Sequence, residues 1–88
     1  MHFIVFTKPN CTQCNMVKTR LDKAGITYDT RQLGEQTAAV LEEFAAAGHM
    51  SAPVVSVYDG NELWDEFSGF NPDRLNAAIA AHRDKEAA

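Results

Sequence analysis

Long apolar runs are missing from this chain. The N-terminal one, Phe3-Ile4-Val5-Phe6, stops after four residues at Thr7 and Lys8, far short of a signal-peptide core or a membrane span. A cytoplasmic chain with no membrane partner is therefore expected. Cysteine is scarce as well, at two residues, which leaves no second pair to complete a four-thiolate zinc site. His2, His49 and His82 stand singly, without the paired spacing of a zinc finger. No mononuclear metal site is expected, although a cluster shared between two chains needs only one or two thiolates from each and stays open. Basic residues are few: eight Lys and Arg against twelve Asp and Glu, with no aromatics interleaved among them, which argues against a nucleic-acid surface. Linkers, repeats and low-complexity stretches are absent too. Residues 1–88 are expected to form one domain with one modest core.

What the chain does have is Cys11-Thr12-Gln13-Cys14 just after the apolar run. A disulfide across so short a loop removes little entropy from the unfolded chain, so stapling explains the pair poorly. In a reducing compartment, Cys-x-x-Cys between a strand and a helix fits a dithiol that cycles between reduced and disulfide forms. Cys11, at the mouth of the helix, meets unpaired N–H groups and the positive dipole end, and reads as the nucleophile. Cys14, nearly one turn deeper, reads as the resolving thiol. Thr12 and Gln13 between them tune the cycle. The charge is unevenly spread: residues 1–33 carry five Lys and Arg against two acids, and residues 34–88 three against ten. Lys18, Arg20 and Lys23 read as solvated helix charges. Lys8, outside the helix and three residues from Cys11, is placed to stabilise a thiolate or meet an acidic partner.

Patterning along the chain predicts the elements. Phe3–Phe6 reads as a strand buried on both faces, Thr12 to about Ala24 as a helix stopped by Gly25, and Ile26–Thr30 as a half-exposed strand. A helix follows from about Glu35 to Ala47, with Ala38, Leu41, Phe44 and Ala45 as its inward stripe. Ala52–Val57 and Glu62–Phe67 read as strands of a hairpin turned at Asp59-Gly60. Trp64 on the second strand is expected in the core or in sheet packing. Asn71 as N-cap and Pro72 at the first helical position open a last helix, with Leu75, Ala78, Ile79 and His82 on one face. Residues 84–88 are expected to fray.

The order βαβ-α-ββ-α, an α/β fold with three helices on a four-stranded mixed sheet, resembles the thioredoxin-like fold in its glutaredoxin-sized branch. Three segments in order, Lys8-Pro9-Asn10-Cys11-Thr12-Gln13-Cys14, Ala52-Pro53-Val54-Val55 and Ser68-Gly69-Phe70-Asn71-Pro72-Asp73, resemble the NrdH-redoxins, small electron donors to ribonucleotide reductase. Alone, Pro53 is compatible with simple strand-start punctuation and Gly69 with a simple turn. The resemblance implies more. The Ala52–Pro53 bond would be cis and lie against the disulfide, leaving backbone groups for an extended substrate segment. Ser68, Gly69 and Phe70 would form a hydrogen-bonded loop beside the site, replacing the glutathione-carboxylate site of glutaredoxins. Phe67 and Asn71 stand where the family loop ordinarily has Trp and Arg.

By this resemblance the protein would be a disulfide reductant, expected to need no cofactor or metal; its small size makes a monomer the default expectation. It would be reduced by thioredoxin reductase and deliver electrons to class Ib ribonucleotide reductase. A glutathione-dependent glutaredoxin is the competing enzyme, but the chain has Ala52-Pro53 in place of Thr-Val-Pro and no Gly-Gly-x-x-Asp after the hairpin. A thiol sensor or an iron–sulfur-carrying dimer is the non-enzymatic alternative.

Overall fold

The computed structural model describes residues 1–87. Its elements are β1 (His2–Thr7), α1 (Thr12–Lys23), β2 (Asp29–Gln32), a 3₁₀ turn (Leu33–Glu35), α2 (Ala38–Ala46), β3 (Val54–Asp59), β4 (Glu62–Ser68) and α3 (Pro72–Ala87). The strands form one sheet in the order β2-β1-β3-β4. β1 pairs parallel with β2 and antiparallel with β3, and β3 pairs antiparallel with β4. A parallel pair needs a long crossover, and α1 provides it.

Alternation along β1 divides the core. Phe3 and Val5 point into a cluster with Val17 and Leu21 of α1, Val55 and Val57 of β3, and Leu75 and Ile79 of α3. Ile4 and Phe6 point the other way, onto Phe44 of α2 and Val54. The sheet is thus covered by α1 and α3 on one face and by α2 on the other. Each fully buried large apolar side chain contributes about 1.5–3 kcal/mol, and no buried side-chain N or O atom among the described residues lacks a partner.

Several details differ from the patterning. The strand expected at Ile26–Thr30 begins at Asp29 instead. Ile26 is taken up by the end of α1: Gly25 at φ +70° donates to Asp22 O at 3.0 Å and Ile26 to Leu21 O at 3.0 Å, a Schellman cap that seats Ile26 on the core. α2 begins at Ala38 rather than Glu35, because Thr37 Oγ1 accepts from Val40 N at 3.2 Å and caps it. Of the expected stripe only Phe44 is buried, joined by Val40; Ala38 and Ala45 are exposed and Leu41 is 38% exposed. Trp64 is 42% exposed on the edge strand and so lies outside the core. Finally, α3 runs on through Ala87 where a frayed tail was expected. Lys85 Nζ reaches Asp59 Oδ1 at 2.7 Å and His82 Nε2 pairs with Glu86 at 2.9 Å, which holds the last turns; Ala88 lies outside the described residues.

Candidate active site

The site begins where β1 gives way to α1. Asn10 takes φ +56°, a left-handed conformation that Asn adopts more readily than most residues. The chain thereby turns to set Cys11 at the N-cap of α1, with an extended backbone at φ −107° and ψ 104°. Cys11 Sγ accepts a hydrogen bond from Cys14 N at 3.2 Å. A sulfur held there meets free helix N–H groups and the positive dipole end, both of which favour thiolate over thiol. Cys11 and Cys14 are joined as a disulfide with a Cα–Cα separation of 5.2 Å. Cys11 is 6% exposed and Cys14 is fully buried.

Two distant segments close on this pair. Ala52 packs with Cys11 and Cys14 in a small apolar cluster, and the Ala52–Pro53 bond is cis, with Pro53 fully buried. Pro53 O accepts from Gly69 N at 2.8 Å, so this carbonyl is already engaged. Gln13, on the first turn of α1, presents Oε1 to Phe70 N at 2.9 Å. Gly69, with φ +74°, passes so close that a Cβ would lie 3.1 Å from that same oxygen. Residues 11–14, 52–53 and 68–70 are therefore stitched together by two hydrogen bonds. Ser68 ends β4 in register with Val54.

Around this centre the surface is grooved. Lys8, Asn10, Thr12, Gln13, Ser51 and Ala52 line a cleft of about 300 Å³ at Cys11. Lys8 also borders a neighbouring cleft of about 340 Å³ with Leu33, Leu41, Met50 and Ala52. On the opposite flank, Thr12, Met16, Thr19 and Phe70 line a groove of about 370 Å³ that is mostly apolar. Among the described residues, no group of three or more His, Cys, Asp and Glu side chains is placed to hold a metal ion.

Some residues at the site carry no signal in the sequence. The apolar Leu33 and Met50 belong to segments with no motif of their own, and Leu41, read as a core position, lies at the cleft instead. Arg74 and Asp65 are nine residues apart and meet across the Ser68–Phe70 loop. Arg74 Nε donates to Asp65 Oδ2 at 3.0 Å and Arg74 Nη2 to Asp65 Oδ1. This pairing holds the Asp65 carboxyl below its ordinary range, against the opposing pull of partial burial. The only hint in the sequence is that the loop is short enough to return α3 to the end of β4.

Comparison with known proteins adds relatives to this geometry. A family model described as Glutaredoxin matches residues 3–63. The glutaredoxin-like protein NrdH of Lactococcus lactis subsp. lactis is 38% identical over 71 residues, covering 81% of this chain and 90% of that one. The glutaredoxin-like protein NrdH of Escherichia coli strain K12 is 28% identical over 76 residues, covering 86% of each chain. Among solved structures, the glutaredoxin-like NrdH-redoxin of Escherichia coli, described by its thioredoxin-like activity profile, superposes with a TM-score of 0.71 at 26% identity. That match covers 88% of this chain and 93% of the other.

Proposed function

Because the chain belongs to the glutaredoxin family of thiol-disulfide oxidoreductases and carries its Cys-x-x-Cys pair on a thioredoxin-like fold, we propose that it is an NrdH-type reductant of protein disulfides. In the reduced protein Cys11 thiolate attacks a substrate disulfide, forming a mixed disulfide and releasing one substrate thiolate, which takes up a proton. Cys14 then loses its proton and attacks Cys11 Sγ. The second substrate thiol departs, and the Cys11–Cys14 disulfide retains the oxidation. Two electrons and two protons pass to the substrate.

The observation that carries this reading is the placement of Cys11 Sγ at the helix N-cap, 3.2 Å from Cys14 N, with Cys14 buried behind it. Thr12 and Gln13 set the surroundings of the sulfur, and Lys8 offers a cation at the mouth of the cleft. Ala52 and Pro53 form the shelf on which an extended partner segment lies, and Ser68, Gly69 and Phe70 its wall. Ribonucleotide reductase is the proposed recipient and thioredoxin reductase the proposed donor, in the cytoplasm, with the redoxin as a monomer. The similarity to NrdH proteins and the thioredoxin-like activity profile of the Escherichia coli neighbour support that assignment.

The test is NADPH oxidation coupled to disulfide reduction, run with thioredoxin reductase and separately with glutathione plus glutathione reductase, with Cys11→Ser as blank. Turnover with thioredoxin reductase alone is expected. Turnover with glutathione alone would overturn the proposal in favour of a glutathione-dependent glutaredoxin. Cys14→Ser should accumulate the mixed disulfide with substrate, visible on non-reducing gels.

A further inference from the structure

Arg74 is the third residue of α3, where a cation opposes the helix dipole. Helix stability therefore gives no reason for it. Its contacts lie outside the helix. The guanidinium grips Asp65 through Nε and Nη2, donates from Nη2 to Glu66 O at 3.0 Å, and sits 5.4 Å above the ring of Phe67. One side chain thus holds three successive residues of β4. The planar fork of arginine makes these contacts at once; a lysine ammonium offers no such fork.

The segment enclosed between β4 and this arginine is the wall of the site. Its two ends, at Phe67 and at the first turn of α3, are held by Arg74 and by Asn71 Oδ1, which accepts from Arg74 N at 3.2 Å. Its middle spends Gly69 N on Pro53 O and Phe70 N on Gln13 Oε1. Those two bonds need the loop ends to stay in place.

We propose that Arg74 is a positioning residue for disulfide exchange: by clamping Asp65, Glu66 and Phe67 it holds the Ser68–Phe70 loop against Pro53 and Gln13, and so presents the partner-facing wall beside Cys11. The effect on exchange rests on the disulfide-reductant reading above, whereas the clamp itself does not. An ordinary exposed ion pair contributes little. Arg74 differs in its two-pronged contact with Asp65 and in its added backbone and ring contacts.

The experiment compares wild-type protein with Arg74→Met, Arg74→Lys and Asp65→Asn by residue-resolved amide hydrogen exchange on the protein alone. It then measures KM and kcat for insulin disulfides. In Arg74→Met and Arg74→Lys, protection of the Gly69 and Phe70 amides should fall by about tenfold or more, while Val55 and Val57 on the central strand stay within about twofold. KM should rise several-fold with kcat nearly unchanged. Unchanged protection at Gly69 and Phe70, or an equal loss at Val55 and Val57, would overturn the clamp. A local loss of protection with unaltered KM would overturn its role in exchange. Should Arg74→Met fail to fold, Asp65→Asn, which keeps the side-chain volume, carries the same comparison. If no disulfide substrate is turned over by wild type, the reading of function fails while the exchange data still decide the clamp.

Discussion

At Gly69 the backbone sits at φ +74°, and a Cβ there would meet Gln13 Oε1 at 3.1 Å. Gly69→Ala therefore combines left-handed strain, about 1–2 kcal/mol, with pressure on the acceptor of Phe70 N. A loss of that order in unfolding free energy, read from urea titrations by circular dichroism, is the expected outcome. Asp65 carries a pH dependence. Its carboxyl is lowered chiefly by the hydrogen bond from Arg74, against a raising effect of partial burial. A depressed folded value means that the stabilisation is present above the unfolded carboxyl range, about 3.9, and is lost as pH falls through the lower folded value. The stability advantage of wild type over Asp65→Asn should accordingly shrink below about pH 4, as urea midpoints at neutral and acid pH will register. Cys11 and Cys14 stand out as letters because a Cys-x-x-Cys pair is defined by residue type and spacing, whereas the cis bond at Pro53 follows only from the family resemblance. Arg74 and Asp65 do not stand out. Their meaning arises only when a hairpin and a helix return to the same place.

Among the elements, α2 shows why some faces are hard to foresee. Its alanines blur the helical period, so that a stripe through Leu41 fits the pattern although Val40 is the residue turned inward. In the folded chain Val40 and Phe44, one turn apart, meet Ile4 and Phe6, and Phe44 stacks edge-on with Phe6 at 5.0 Å. Phe44→Ala should cost about 3–5 kcal/mol, whereas Leu41→Ala should change stability by no more than about 0.5 kcal/mol. Thermal unfolding of the two variants separates them. The end of α1 was legible as a stop at Gly25. That the following Ile26 serves the cap rather than the next strand was not, because an isolated β-branched residue fits either use. β1, with its unbroken Phe3–Phe6 run, was unambiguous: both faces of a central strand are buried, and only apolar side chains tolerate that.

Across the whole molecule, the sheet separates a larger core under α1 and α3 from a smaller one under α2. The three segments of the candidate site gather where β1 runs into α1, beside the starts of β3 and α3. The order of elements is readable because each has its own period and punctuation, and four strands covered on two faces by helices leave few ways to arrange them. The single tryptophan bears on how such a molecule is watched. Trp64 lies 42% exposed on β4, four residues from Ser68, or about 13 Å along the strand. Its indole is already partly hydrated in the native protein, and its position on β4 is removed along the strand from the Ser68 end that borders the site. Intrinsic fluorescence should therefore shift little on unfolding and hardly at all between the dithiol and disulfide forms. Urea titrations followed together by emission maximum and by far-ultraviolet circular dichroism should show a weak optical change beside a full loss of helix signal. The protein's own chromophore is a poor reporter of its chemistry, and its redox state is better followed by counting thiols.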